Sequence, residues 1–267
     1  MDVVESEAID QLTRFAVDVI RQAGEEAMKY YGHRSPGIRF DEKLITEAEL
    51  HLNGWFRDQV SRRFPEHQIF NFNQVDKDYT HAASRYLWIF DPLDGVDNFQ
   101  AGIPIWGMSV ALLENFWPVF GAILMPATGD LFHARAGGPA WHGSEKMHIL
   151  PSENVDNESL LFTFSRFHQM YRSRFPGKIR NLGCTSAHIC YVATGRADAA
   201  LISNESFQGL AGARVIIESA GGKICTLDGS TFFLNEYLDG QRIDDHLLVV
   251  APDNYNQVLE CLERRAG

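Results

Sequence analysis

Two amphipathic helices are predicted at the start of the chain. Apolar residues recur every three or four positions through residues 5–31, with charged residues between them, and Tyr31-Gly32 ends the pattern. A second apolar stripe follows Thr46, which is the predicted N-cap, with Glu49 at the capping-box position. Phe64-Pro65 ends this second helix. Each helix therefore has one apolar and one charged side.

Strands dominate the pattern that follows. Short apolar segments are separated by short polar breaks, which predicts a meander of antiparallel strands. Beyond residue 150 strands alternate with helical patterns, which is typical of βαβ-like units. The predicted strands are Tyr86–Phe90, Trp106–Leu113, Trp117–Met125, Leu131–Ala136, Leu160–Phe164, Ala199–Ile202, Lys223–Thr226 and Leu247–Ala251. The predicted helices of the second part are Cys184–Thr194, Leu210–Ala220 and Asn254–Arg264.

The change of pattern near residue 150 indicates an α/β protein with two lobes. Residues 1–150 are predicted to form an N-terminal α+β lobe, and residues 151–267 a C-terminal α/β lobe. No linker, repeat or low-complexity stretch separates them, so we expect one compact unit of stacked helix and sheet layers.

Composition and charge narrow the classes of partner. The net charge of −11 and the lack of a dense Lys/Arg cluster predict no binding to nucleic acid or to an anionic membrane surface. No uncharged apolar run reaches the roughly 20 residues that span a bilayer. The first residues do not form a signal-peptide pattern, and the four cysteines form no CxxC pair. We therefore expect a cytoplasmic protein with reduced thiols.

The candidate chemistry is concentrated in the loop at residues 91–99, DPLDGVDNF. Three carboxylates stand within seven residues, directly after an apolar strand. Gly95 permits unusual backbone angles, so the amides of Gly95, Val96 and Asp97 could converge as an anion nest at a helix start. Carboxylates three residues apart beside such a nest suit a divalent metal that holds a phosphate. The same residue types also form ordinary turns, so both interpretations stay open.

This loop and four further segments resemble the motifs of the inositol monophosphatase family. WIFDPLDGVDNF resembles the family's strand followed by DP(I/L)DG-T-x-NF, and TEAE at 46–49 its helix-opening T-x-x-D. FPEH at 64–67 resembles the segment before its G-E-E motif. Gly183 with VATGRADA at 192–199 is similar to its G-(S/T)-A helix and V-A-x-G-x-x-D turn. LAGA at 210–213 with ESAGG at 218–222 is similar to its WD-x-A-x-G…E-A-G-G motif.

The resemblance implies a fold, an activity and an assembly. The fold is the layered αβαβα sugar-phosphatase fold, of the inositol monophosphatase/fructose-1,6-bisphosphatase type. The activity is a magnesium-dependent, lithium-sensitive phosphomonoesterase, and the usual assembly is a homodimer. In such a site Mg²⁺ ions lie between carboxylates and the phosphate, where they activate a water and neutralise the phosphoryl oxygens.

Some of the family's site residues are intact in this chain. The resemblance makes Asp91, the backbone carbonyl of Leu93 and Asp94 metal ligands, and gives both aspartates a catalytic role. The helix-opening Asp falls on Glu49, which keeps the charge but is one methylene longer. The residues expected to contact phosphate or substrate are Gly95, Val96, Asp97 and Cys184.

Other site residues of the family are lost. The catalytic Thr, which orients and helps to deprotonate the attacking water, falls on Val96. The metal-binding Glu of G-E-E meets Asn71 or Phe72, depending on the flank used for alignment. The Asp of the WD motif falls on Gly209, or on Gln208 after a shift of one residue. An acid that contacts substrate hydroxyls falls on Ile202.

These losses predict a pseudoenzyme with weak or absent Mg²⁺ binding and weak or absent phosphomonoesterase activity. Its role would then be binding, regulation or scaffolding, with a pocket for a small phosphorylated sugar or polyol. The alternative is an active Mg²⁺-dependent phosphatase of such a compound, for example inositol monophosphate, with a rearranged metal site. Asp76, Asp78 or Asp97 would supply the missing ligands in that case.

Two further alternatives use other residues. An anion could be held without metal by Arg39, Lys43 or Arg214. New chemistry could arise from Cys184, Ser186 and His188, since Cys184 and His188 share one face of the predicted helix.

Overall fold

The computed structural model describes residues 3–33, 41–70, 85–149, 154–230, 232–237 and 241–265. Its first elements are α1 (Val3–Ala27), α2 (Glu42–Arg63), β1 (Gln68–Ile69), β2 (Tyr86–Asp94), α3 (Val96–Ala101), β3 (Gly107–Glu114), β4 (Trp117–Met125), β5 (Asp130–Arg135), β6 (Ala140–His142) and β7 (Glu145–Met147). The strands form one sheet in chain order. β1 is parallel to β2, and the other neighbours are antiparallel, so the predicted meander is confirmed.

A five-stranded sheet and the remaining helices follow. The elements are β8 (Leu160–Thr163), α4 (Phe167–Met170), β9 (Tyr171–Ser173), β10 (Lys178–Arg180), α5 (Thr185–Ala193), β11 (Ala199–Ile202), β12 (Glu205–Ser206), α6 (Phe207–Ser219), β13 (Lys223–Thr226), β14 (Arg242–Ile243), β15 (Leu247–Val250), α7 (Tyr255–Leu259) and β16 (Leu262–Arg264). The strand order in the sheet is β10-β8-β11-β15-β13. β8 is parallel to both of its neighbours, whereas β15 is antiparallel to β11 and β13.

The helices and the two sheets alternate in five layers. α1 and α2 pack on one face of the seven-stranded sheet. α5 and α6 lie between its other face and the five-stranded sheet, whose outer face is covered by α4 and α7. The predicted αβαβα layering is therefore confirmed.

Alternating side chains of β2 show why its sequence is continuously apolar. Trp88 and Phe90 are buried in the core beneath α1 and α2, whereas Leu87 and Ile89 are buried in the core formed with α5 and α6. Successive side chains of a strand point to opposite faces, and both faces of this sheet are covered. The strand therefore has no position for a solvated polar residue before Asp91.

Helix α6 lies close to β4 because both elements carry a glycine at the contact. A Cβ built on Gly121 would lie 2.2 Å from the carbonyl oxygen of Gly212, so a larger residue has no room there. A Cβ on Gly212 would lie 3.1 Å from the carbonyl oxygen of Val110. This close approach fixes how far α6 stands from the sheet, and with it the position of the first turn of the helix.

The prediction for the start of the second helix is wrong. α2 begins at Glu42, and its N-cap is Asp41, whose side chain accepts a hydrogen bond from the Leu44 amide at 3.1 Å. Thr46 lies inside the helix, where its hydroxyl donates to the carbonyl oxygen of Glu42. An Asp side chain caps a helix as well as Thr does, so the earlier cap extends the helix by one turn.

The prediction of a final helix over Asn254–Arg264 is wrong in its second half. α7 ends at Leu259, and the next residues form β16, which pairs antiparallel with β9. Arg264 stands opposite Tyr171 in this pairing. Strand pairing with a distant segment therefore replaces a local helical pattern.

Two global predictions can be compared with the structure. Within the described residues, no helix combines the length and apolar character needed to cross a membrane. All four cysteines are free thiols, and Cys184, Cys190 and Cys225 are buried.

Candidate functional site

The candidate site is built where β2 ends, and β2 runs further than predicted. It continues through Phe90 to Asp94, so that Asp91 pairs with Ser109 and Asp94 pairs with Gly107 of β3. The register shifts between these two pairs. This irregularity lies at the DPLD segment, so both aspartates lie in the last, irregular part of β2, shortly before the start of α3.

Gly95 turns the chain from β2 into α3. It is the residue before the helix, and its φ of 83° lies in the left-handed region that favours glycine. A Cβ at this position would lie 3.1 Å from Cys184 Cβ and from the carbonyl oxygen of Gly183. The turn therefore needs glycine both for its backbone angle and for its space.

The first turn of α5 holds the carboxylate of Asp94. The Ser186 amide donates to Asp94 Oδ2 at 2.5 Å, and the Thr185 amide donates to Oδ1 at 3.3 Å. The Cys184 thiol donates to Oδ2 at 3.5 Å. These hydrogen bonds from the first turn of α5 fix the position of the Asp94 carboxylate.

Asn98 connects α3 to the segment before α5. Its side-chain amide donates to the carbonyl oxygens of Ile105 at 2.6 Å and Leu182 at 2.7 Å. These two bonds join the loop after β2 to the chain that leads into α5, so they position Asp94 and its amide partners relative to each other.

A cavity of about 1140 Å³ opens between α2, the end of β2 and the start of α6. Four acids, which we call the cavity acids, line it: Glu49, Asp91, Asp94 and Glu205. The cationic side chains of its wall are Arg57 and Arg242, and both residues are exposed. The cavity is therefore mainly acidic at its base and has arginines towards solvent.

Burial raises the pKa values of three cavity acids. Burial and then the charge of Asp94 raise the pKa of Asp91 to about 7. Burial, again followed by the charge of Asp94, raises the pKa of Glu205 to about 8. Burial also raises the pKa of Glu49. Carboxylates crowded in a shielded site stay protonated to higher pH unless a cation compensates their charge.

Most of the residues predicted for the site line this one cavity. They are Glu49, Asp91, Leu93, Asp94, Gly95, Val96 and Gly209. Asp97, by contrast, is exposed on α3, and Cys184 is buried against Asp94. A role for these two in phosphate binding stays a prediction. Asn71, Phe72, Asp76, Asp78 and Arg39 lie outside the described residues.

The alternative cations lie away from the cavity wall. Lys43 forms an ion pair with Glu47 at 3.7 Å on the exposed side of α2. Arg214 donates to Glu218 at 2.7 Å on α6. Both are therefore paired within their own helices.

The environment of Cys184 and His188 does not suit a nucleophile and its base. Burial raises the pKa of the Cys184 thiol well above its ordinary value. Burial lowers the pKa of His188 to about 4, and its Nε2 accepts a hydrogen bond from the Leu182 amide at 2.9 Å. His188 also stacks on Phe162. A protonated thiol and an imidazole bonded to the backbone indicate packing roles.

Sequence reasoning missed Glu205. The family spacing directed attention to Ile202, which is buried in the core, and to Gly209. Glu205 lies between these two positions, in the short segment that joins β11 to α6. The available signal was an acid at the end of a buried strand, which is where the site of an open α/β sheet often lies.

The donor types of the cavity fit Mg²⁺. Its wall offers carboxylates and the carbonyl of Leu93, and hard cations such as Mg²⁺ take oxygen ligands. Gly209 lines the cavity beside Asp91, and a Cβ there would lie only 3.3 Å from Asp91 Oδ2. In the part of the chain that the structure describes, no three His, Cys, Asp or Glu side chains form a ready-made metal site. The fit is therefore one of donor chemistry and available space.

Comparisons with known proteins identify the family. The family model described as "Inositol monophosphatase family" matches residues 8–259. A histidinol-phosphatase from Chlorobaculum parvum is 28% identical over 225 residues, which cover 80% of this chain and 85% of that protein. A fructose-1,6-bisphosphatase/inositol-1-monophosphatase from Thermotoga maritima is 26% identical over 263 residues, covering 92% of this chain and 96% of that protein.

Solved structures show the same fold. Inositol monophosphatase II from Staphylococcus aureus superimposes with a TM-score of 0.76, at 19% identity, over 94% of each chain. The layered architecture is thus shared with solved structures, and the family model covers almost the whole sequence. Because the family model matches residues 8–259, the chain belongs to the inositol monophosphatase family.

Proposed function

We propose that this protein binds a small phosphorylated sugar or polyol together with Mg²⁺ in its acidic cavity, with weak or absent phosphomonoesterase activity. Its role would then be binding, regulation or scaffolding. The relatives named above are phosphatases of small phosphate esters, which supports the substrate class. We propose low activity because Val96, which lines the cavity beside Asp94, has no hydroxyl to position a water.

Other hydroxyls of the cavity wall do not supply what Val96 lacks. Thr46 donates its hydroxyl to the carbonyl oxygen of Glu42 at 2.8 Å, and Thr185 donates to Glu205 at 2.8 Å. The Ser206 hydroxyl oxygen caps α6 by accepting a hydrogen bond from the Gly209 amide. Among the described residues, the hydroxyl protons of Thr46 and Thr185 are therefore committed to Glu42 and Glu205, and the Ser206 oxygen is held at the helix cap.

The intact residues would bind the phosphate and the ion. Asp91, Asp94 and the carbonyl of Leu93 would hold Mg²⁺, and the amides of Gly95, Val96 and Asp97 would face the phosphate. When bound, the ion supplies charge neutralisation of the phosphoryl oxygens and lowers the pKa of a coordinated water. Losing one group that positions the reacting water lowers the rate of hydrolysis on the order of 10²–10³-fold. Such a loss would reduce turnover and still allow the protein to bind phosphate and Mg²⁺.

A second candidate function is an active phosphatase with a rearranged set of acids. It is favoured by Glu205, whose carboxylate borders the space left by Gly209. This acid would restore one of the two metal ligands that the sequence lacks. The two candidates differ in the rate of hydrolysis rather than in the ligand.

The test measures binding and turnover separately. Calorimetry gives the affinity for inositol 1-phosphate and inorganic phosphate with and without Mg²⁺. Phosphate release is measured from inositol 1-phosphate, histidinol phosphate and fructose 1,6-bisphosphate, beside the Thermotoga maritima relative. We expect Mg²⁺-dependent binding with turnover at least about 100-fold below the relative. Turnover equal to that of the relative, and abolished by Asp94→Asn, would support the second candidate.

Two further proposals concern assembly and location. We infer a homodimer and a cytoplasmic location, the first from the family resemblance and the second from the composition. Light scattering of the purified protein tests the assembly, and a mass of one chain would contradict it. Fractionation of the producing cells tests the location.

A further inference from the structure

Asp91, Glu205 and Gly209 line the same cavity, and we call the part of the cavity that these three residues border the gap. A Cβ built on Gly209 would lie 3.3 Å from Asp91 Oδ2 and 3.8 Å from Glu205 Oε2. A side chain at position 209 would therefore point towards Asp91, as expected for the aspartate of the family's WD motif. In this chain, Glu205 borders the same space from the preceding strand.

Backbone pairing and one hydroxyl hold Glu205 in this orientation. β12 pairs antiparallel with β14, and Glu205 stands opposite Ile243, directly before the helix cap Ser206. Thr185 donates its hydroxyl to Glu205 Oε1 at 2.8 Å, while its amide donates to Asp94. Glu205 Oε2 is then the oxygen at the gap, and it accepts no hydrogen bond from the residues that the structure describes.

Arg242 is close enough for its charge to favour the ionised forms of Asp91 and Glu205. Within the described ranges, none of the four cavity acids forms an ion pair with a basic side chain. Arg242 lines the same cavity, but its Nε donates to Asn204 at 3.2 Å. Shielded carboxylates without a direct ion pair favour a cation, and oxygen-rich sites select Mg²⁺ or Mn²⁺.

We infer that Glu205 takes the place of the carboxylate that Gly209 lacks, and that Asp91 and Glu205 together bind a divalent cation of the Mg²⁺ class in this gap. The inference rests on the proposed function, because the cation is the one that the phosphate-binding cavity would use. It assigns the ligand to the strand before α6 instead of to the first turn of the helix.

The test uses Mn²⁺, whose free form is measured directly by electron paramagnetic resonance. Wild type and Glu205→Gln are titrated with Mn²⁺ in the absence of phosphate and substrate. Removing a metal ligand should weaken binding by at least about tenfold, since even outer-sphere partners contribute that much. Glu47→Gln is the charge-matched control, because Glu47 is an exposed residue of α2 outside the cavity wall. It should bind Mn²⁺ as wild type does.

A rescue variant separates a ligand role from a structural one. Glu205→Gln combined with Gly209→Asp places a carboxylate at the gap from the helix, so it should recover most of the lost Mn²⁺ affinity. Equal Mn²⁺ affinity of wild type and Glu205→Gln would overturn this inference but not the proposed function. Loss of affinity in Glu205→Gln without any recovery in the double variant would also overturn it. A wild type that binds no Mn²⁺ at millimolar concentration would overturn both the inference and the cation part of the proposed function.

Discussion

Position 96 decides whether the cavity can orient an attacking water. Val96 lines the wall beside Asp94, and its γ-carbons cannot donate or accept a hydrogen bond. Glu49 lines the same wall from α2, so the carboxyl partner for a hydroxyl is present although the hydroxyl is missing. Position 96 is therefore one of the positions, together with those of the lost metal ligands, at which the proposed loss of hydrolysis can be tested.

Val96→Thr should increase the turnover of inositol 1-phosphate. Thr has nearly the same shape as Val and adds the missing hydroxyl, so we expect kcat to rise by about tenfold or more, with little change in KM. Val96→Ala is the matched control, since it changes the volume without adding a hydroxyl. A kcat that rises equally in both variants, or in neither, would show that water activation does not limit the reaction.

The raised pKa of Asp91 makes the stability of the metal-free protein depend on pH. Its pKa is raised from 3.8 to about 7 in the folded chain, so the folded state binds more protons between these values. The free energy of unfolding therefore falls as the pH rises from about 4 to about 7, and it levels off above that range. Glu205, with a pKa raised from 4.5 to about 8, adds a contribution of the same sign.

Asp91→Asn should remove part of this dependence. At pH 8 in the presence of a chelator, the variant should unfold with a free energy higher than that of wild type by about 1–4 kcal/mol, while at pH 4 the two should agree. Urea denaturation at both pH values measures this. Asp97→Asn, in an exposed residue of the same loop, serves as the control. Parallel pH profiles of wild type and Asp91→Asn would contradict the prediction.

At the scale of elements, the contact between α6 and β4 places the first turn of α6 over the end of β2. Gly121→Ala would put its Cβ 2.2 Å from the carbonyl oxygen of Gly212, so the helix must move. We expect a loss of about 1–3 kcal/mol in the free energy of unfolding, together with weaker Mn²⁺ binding. Gly54→Ala on α2 meets nothing within 4 Å and should stabilise the protein by about 0.5–1 kcal/mol. A stable, fully binding Gly121→Ala would refute this account.

The elements that were predicted well are those whose pattern is local. β4, β11 and β13 have the predicted bounds. β4 and β11 are continuously apolar between turns, as a covered sheet requires, and β13 has two buried apolar residues between polar ends. β16 was missed because its pairing with β9 joins segments far apart in the chain. Glu205 was missed for the same reason, since β14 and Thr185 position it. A family motif locates intact residues but not the replacement for a lost one.

At the scale of the whole molecule, the two sheets share the layer formed by α5 and α6. Both helices belong to the second half of the sequence, yet they pack against the first sheet. The site combines β2 from the first half with the starts of α5 and α6 from the second. The division into lobes at residue 150 stays a prediction, and separate halves would not contain a complete cavity.

The net charge of −11 gives a whole-molecule test of cation binding. Any salt reduces repulsion among surface carboxylates, so Mg²⁺ would stabilise this protein to some extent without a site. A specific site adds RT ln(1 + [Mg²⁺]/Kd) to the free energy of unfolding, which is about 1.4 kcal/mol at an Mg²⁺ concentration of ten times Kd. For a chain of this size, this raises Tm by about 2–5 °C. Thermal unfolding in MgCl₂ and in NaCl of equal ionic strength separates the two effects. We expect a further rise in Tm with MgCl₂ that is lost in Asp91→Asn combined with Asp94→Asn. Equal melting temperatures in the two salts would mean that Mg²⁺ acts only by screening, and the cavity would then have to bind its phosphate without a metal.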